Sequence, residues 1–173
     1  PLVGRNYWGF DCVNLIKGIV WGWTGDWNND NGGAKYGSNG CPDYGADGMI
    51  GYCKNVSRDF SNLVVGEALW CPGHFGIYIG EGLAIEATPT WGYTPGVKVS
   101  AVSNMGLQTS HPRQRTWTSH GFMPFVSYNM QGYVDLGNLA TDSNFTSNDP
   151  LSSGTRNIPY SFIYDEYEST EAL

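Results

Sequence analysis

The sequence predicts an α+β domain in which one helix packs on a small antiparallel sheet, and three observations carry that expectation. Apolar residues recur at helical spacing over residues 12–23, strand-like alternation and turn signals fill residues 67–89, and 24 Gly and 9 Pro cut the remaining chain into short runs. With 173 residues, 40% of them hydrophobic and 14% aromatic, the chain can bury one sizeable core but hardly two. The division expected is a catalytic domain over 1–130 and an acidic Ser/Asn-rich linker and tail over 131–173, partly docked or flexible.

The helix comes first. Cys12, Leu15, Ile16, Ile19, Val20 and Trp23 fall on one face of an amphipathic helix. Gly18 and Gly22 weaken it by roughly 1 kcal/mol each relative to Ala. Asp11 is a ready N-cap, its carboxylate accepting from the free N–H groups of the first turn. A thiol in that turn feels the positive end of the helix dipole, which can bring its pKa from about 8.5 into the range of roughly 3.5 to 7.5. Two readings of Cys12 stand at this point: a reactive thiolate, or an inert thiol on a core face.

Residues 24–48 read as an irregular loop flanking a cleft. Asp26, Asp30, Asp43 and Asp47 lie there among Gly and Asn without the spacing of a calcium loop. Cys41, Cys53 and Cys71 lack the paired spacing of a zinc site, and a Cys41–Cys53 disulfide stays open.

The second informative stretch is "GEALWCPGHFGIYIGEGLAIEATPTW", residues 66–91. It parses as the strands "EALWC", "HFGIYIG" and "LAIEATP", joined by a Pro-Gly turn and a Glu-Gly turn. A tight hairpin at Gly80–Gly82 would bring His74 on one strand to face Glu86 on the next. A Cys at a helix start, a His on a strand and a carboxylate on the adjacent strand form a nucleophile, a base and a group that orients the base. His111 and His120, in "SHPRQRTWTSHG", read instead as surface or packing residues.

Charge narrows the partners. Residues 1–128 hold eight Lys and Arg against nine Asp and Glu, while residues 129–173 hold one against seven. Without a basic stripe, and with an acidic tail, a nucleic-acid or anionic-membrane partner is not expected. No run of 18 apolar residues occurs, the first residues lack the pattern of a signal peptide, and an abrupt start at Pro1 suggests a longer polypeptide.

Asp-Cys at 11–12, "GHFGIYIG" at 73–80 and Glu86, in that order, resemble the NlpC family of papain-like cell-wall cysteine peptidases and amidases, over roughly residues 4–128. "NYWGFDCVNLIKG" and "RTWTSHG" are similar to a subgroup found in phage lysins. The resemblance implies a papain-like NlpC-type fold and a peptidoglycan hydrolase that uses Cys12 as nucleophile, His74 as base and Glu86 as orienting residue. It implies Tyr7 as a second oxyanion donor beside the Cys12 N–H, and no cofactor or metal. Asp11 joins Trp8 and Trp91 as candidate substrate-binding residues, the two tryptophans lining a groove for sugar and peptide. The implied partners are bacterial peptidoglycan and the other domains or subunits of a lysin or phage tail, at the bacterial wall, virion-associated or released.

The sequence departs from the family in three places. Val13 and Asn14 replace the usual Ser-Gly after the Cys, Glu86 replaces His, Asn or Gln, and Tyr7 stands closer to the Cys than the family's tyrosine. Loss of that Ser puts recognition of a free amino end of the stem peptide in doubt. Both an N-acetylmuramoyl-L-alanine amidase and a stem-peptide endopeptidase remain open, with a slight lean to the amidase. Two other classes stand beside them: an inactive wall-peptide binding module, disfavoured by the intact Cys, His and Glu, and a CHAP-type amidase or endopeptidase, disfavoured by Thr88 where an Asn is expected.

Overall fold

Two residues with positive φ, Glu81 at 51° and Gly82 at 76°, make the tight turn on which the sheet is built. That pair of left-handed residues matches the right-handed twist of antiparallel strands. The structure is a computed structural model that describes residues 8–91 and 96–128; Tyr7, the expected boundary at 130 and the tail 131–173 lie outside the described residues.

The architecture is mixed α+β. Its elements run α1 (Asn14–Val20), α2 (Ala46–Tyr52), β1 (Lys54–Ser57), β2 (Ala68–Cys71), β3 (His74–Gly80), β4 (Leu83–Thr88), β5 (Gly96–Val102), β6 (Gln114–Arg115) and β7 (Ser119–Phe122), with short 3-10 turns between. The seven strands form one sheet in the order β1-β7-β2-β3-β4-β5-β6. All pairings are antiparallel except β5 with β6, which are parallel. The sheet is therefore larger than the sequence predicts, and mixed.

The three strands read from residues 67–89 form at the expected places, and their turns explain why. Pro72 and Gly73 link β2 to β3; Pro fixes the first turn position and Gly73, at φ 73°, takes the left-handed second one. The expected facing of His74 and Glu86 needs refinement. Ile77 pairs with Ile85 and Tyr78 with Ala84, so the register carried on sets Glu86 against Gly76, two residues from His74 on the same face. The two side chains are diagonal neighbours, a spacing still within reach of long side chains.

The helix is shorter than expected. It ends at Trp21, where Gly22 at φ 81° bonds back to the Ile19 carbonyl and the Trp23 N–H reaches the Gly18 carbonyl. This is the Schellman arrangement, so Gly22 stops the helix and Trp23 falls outside it. Helix α2 overlaps the stretch expected to be loop. Ala46, Met49, Ile50 and Cys53 are buried at helical spacing, a pattern that Gly48 and Gly51 obscure in the sequence.

Both faces of the sheet carry core. On one side Val13, Ile16, Trp21, Met49 and Ile50 pack against Ala68, Phe75 and Met123. On the other, Phe60 and Leu63 pack with Leu69, Tyr78, Ala84, Val102 and Trp117. Among the glycines, Gly51 has open space where a Cβ would sit and no left-handed φ, so Gly51→Ala is expected to stabilise the fold by about 0.4–1 kcal/mol. Gly76 is the opposite case: a Cβ there would lie 2.6 Å from Trp117 Cη2 and 3.2 Å from the Ile85 carbonyl oxygen. Trp117 is 2% exposed and tied at both backbone groups to the Asn104 amide, so it cannot step aside freely. Gly76→Ala is expected to lower stability by roughly 1–3 kcal/mol, read by denaturant unfolding with Gly51→Ala as control.

Candidate active site

Helix α1 starts at Asn14, two residues beyond Cys12 and later than the sequence predicts, and Asp11 instead closes the turn that leads into it. Its Oδ1 accepts the Asn14 N–H at 2.7 Å and its carbonyl accepts Leu15 N–H at 3.2 Å, which holds Cys12 in the turn just ahead of α1. Asp11 Oδ2 is taken as well, by Asn14 Nδ2 at 2.6 Å. Both oxygens of this carboxylate, which the resemblance assigns to substrate, are therefore engaged in holding the helix start. Asn14, one of the residues that depart from the family, is what engages them.

The thiol reaches from the turn ahead of α1 to the start of β3. Cys12 Sγ lies 3.9 Å from the Gly73 carbonyl oxygen and within electrostatic reach of His74, the first residue of β3. The turn that delivers His74 is itself anchored, because Asp47 Oδ1 accepts Gly73 N–H at 2.9 Å and Trp70 Nε1–H at 2.8 Å. Asp47 is thus a positioning group inside the segment read as loop.

His74 Nε2 sits 2.6 Å from Glu86 Oε2, leaving Nδ1 as the ring atom free for the thiol. Glu86 has no exposed surface. Its Oε1 accepts the Ser100 hydroxyl, and its Oε2 accepts Arg115 Nε–H at 2.7 Å in addition to His74. The structure thereby brings Cys12, His74 and Glu86 close together.

The electrostatics follow from this wiring. Burial pushes the Cys12 thiol up, but hydrogen bonds to His74 and to the Phe75 backbone, with the charge on His74, bring the net value below the usual thiol range. Burial opposes charge on His74 too, yet its bonds to Cys12 and Glu86 carry its pKa up to about 9. Burial likewise works against Glu86, and the bonds to His74, Arg115 and Ser100 overcome it to hold the carboxyl below its usual range. The three shifts all run in the direction that favours a thiolate beside an imidazolium beside a carboxylate.

Two residues at this site are given no role by the sequence reading. Arg115 is packed over the rings of Trp91, at 4.6 Å, and Trp117, at 5.6 Å, while it holds Glu86. Trp117 also stacks on His74, with ring centroids 5.6 Å apart and planes 12° from parallel. The legible trace of both is "RTW", an Arg and a Trp two positions apart at a strand end.

The other expected residues scatter. Trp91, at φ 62°, is half-buried against Arg115, and its carbonyl accepts Lys98 Nζ–H at 3.2 Å. Trp8 stacks on Trp27 and donates Nε1–H to the Gly25 carbonyl. With Phe10, Asn14, Gly18 and Trp23 it lines a cavity of about 210 Å³ that does not include Cys12. Trp91 is not among the residues that line this cavity. All four cysteines are free thiols; Cys41 and Cys53 are core residues whose burial pushes their pKa up to about 11 and about 12.

His120 belongs to packing, as expected, but is buried and not at the surface. Its ring bridges Glu67 Oε2 at 2.9 Å and the Asp59 carbonyl at 2.8 Å. No family model, curated protein or solved structure matches this chain.

Proposed function

We propose that this chain is a peptidoglycan hydrolase that cleaves an amide bond of the bacterial wall by a Cys-His-Glu thiol mechanism, on a papain-like fold of the NlpC type. The observation that carries the chemistry is the Cys12 thiol set beside His74, whose ring bonds the buried, ionised Glu86. The wall as substrate rests on the motif resemblance, which those three residues satisfy in order.

The mechanism follows from the charges. The Cys12 thiolate attacks the amide carbonyl and forms a C–S bond while His74 gives its Nδ1 proton to the leaving amine. The acyl-thioester is then attacked by water, which His74, now neutral, deprotonates; the carboxylic acid leaves and the thiolate–imidazolium pair is restored. The Cys12 N–H precedes the first helical hydrogen bond and is the natural oxyanion donor, with Tyr7 proposed as the second. Glu86 holds the ring and stabilises its charge.

The setting proposed is a phage lysin or a tail-associated enzyme, virion-associated or released, in which other domains or subunits bring this near-neutral body to the wall. The deciding experiment incubates the purified protein with several Gram-positive wall types, follows new amino groups and identifies fragments by mass. Free muramic acid carboxyls mark an amidase; cut stems or bridges mark an endopeptidase. Binding without cleavage by protein with a free Cys12 thiol would sink the hydrolase reading.

The pH dependence has a definite sign. Turnover needs the thiolate, so the rate rises as Cys12 loses its proton below the ordinary thiol range. It also needs the imidazolium as acid, so the rate falls as His74 loses its proton near pH 9. A bell with its upper limb near 9 is expected in kcat/KM, and a rate still climbing past pH 10 would remove the ion pair from the mechanism.

A further inference from the structure

We propose that Arg115 is a positioning residue of the relay, the permanent countercharge that keeps buried Glu86 ionised and aimed at His74 while the charge on His74 comes and goes. The proposal rests on the reading of Cys12, His74 and Glu86 as a thiol relay.

Glu86 is fully buried, and a carboxylate there needs a cation. His74 fills that need only in part of the cycle, because each acylation takes its proton away. At that moment an uncompensated buried carboxylate would draw a proton and release the ring. Arg115 cannot lose its charge at any relevant pH, so it supplies compensation throughout.

The geometry fits this role. Glu86 Oε2 receives two donors, His74 Nε2 at 2.6 Å and Arg115 Nε at 2.7 Å, while Oε1 is held by Ser100. With both oxygens held, the carboxylate cannot turn away from His74. Arg115 is fixed in turn by contact with Trp91 and Trp117, and Trp117 is the ring stacked on His74. The same tryptophan thus packs against both groups that share Oε2. Among the described residues, Arg115 also has Thr88 Oγ1, at 3.5 Å, and the Cys71 thiol at the end of β2 as polar neighbours. His74 is faced by Cys12, Glu86 and Arg115, and here the two cations repel each other.

The test compares Arg115→Gln and Arg115→Lys with the wild type. Three measurements are made: kcat/KM on soluble wall fragments, melting temperature, and the titration of His74, one of only three histidines, by NMR. Arg115→Gln is expected to lose kcat/KM on the order of 10²-fold through misplacement of the base. Its His74 midpoint should move up, because the opposing cation is gone while Glu86 remains beside the ring. Arg115→Lys keeps the charge but not the planar fork, so its midpoint should stay near wild type and its rate fall between the two.

Wild-type kcat/KM in Arg115→Gln overturns the proposal. A lower rate and melting temperature with an unmoved His74 midpoint also overturns it, since that marks a purely structural arginine. Should the wild type release nothing from any wall, the proposed function fails by itself. The His74 titration in the two variants still decides the role of Arg115.

Discussion

Cys12→Ala is expected to lower amide cleavage on the order of 10⁴-fold or more, because no other group can form the acyl intermediate. The remaining thiols cannot substitute. Cys41 and Cys53 are core residues with pKa values near 11 and 12, and burial also raises the half-buried Cys71. The thiol of Cys12 makes only weak contacts, to Gly73 O, the Phe75 backbone and His74, so the fold should lose no more than about 1 kcal/mol. Amino-group release from wall fragments and a thermal melt on the same preparation check both halves. Substoichiometric iodoacetamide at neutral pH should label Cys12 ahead of the other three thiols. An alanine variant that keeps a tenth of the activity, or labelling spread evenly over the cysteines, would remove Cys12 from its role.

The parts of this site that could be read in the sequence are the local ones. Asp11 and Cys12 are adjacent, and the turn that holds them depends on a bond between residues three apart. Strands β2, β3 and β4 follow one another through turns whose Pro-Gly and Glu-Gly sequences specify their backbone angles, so His74 and Glu86 fall on neighbouring strands of necessity. The diagonal offset between them was not legible, because the irregularity between Tyr78 and Gly80 shifts the register by one residue. Helix α2 was hidden by its glycines; tertiary burial of Met49 and Ile50 overrides their poor propensity. Arg115 was out of reach for another reason. It meets Glu86 across 29 residues through a parallel pairing of β5 with β6, and no local spacing encodes such a contact. Asn14 shows the converse: its departure from the family pattern was visible, yet its effect, engaging Asp11, requires the geometry.

Glu86 is where removing a charge and removing a side chain should separate. In Glu86→Gln the amide oxygen can accept from both His74 Nε2–H and Arg115 Nε–H, and the amide nitrogen can donate to Ser100, so the bonding pattern survives without its charge. The imidazolium then loses its stabilising partner while Arg115 stays beside it. The upper limb of the pH–rate profile should therefore fall from near 9 towards the ordinary histidine value, with the maximal rate down by roughly 10- to 10⁴-fold. Glu86→Ala leaves the Arg115 cation and the fully buried Ser100 hydroxyl without their acceptor and opens a hole between them. It should cost about 3–5 kcal/mol of stability in addition to activity. Sodium formate offered to the folded fraction of Glu86→Ala tests whether a free carboxylate can restore rate from the vacated position. If Glu86→Gln keeps both the wild-type rate and the limb near 9, the orienting group lies elsewhere, and Glu86 serves only to hold β4 to Arg115.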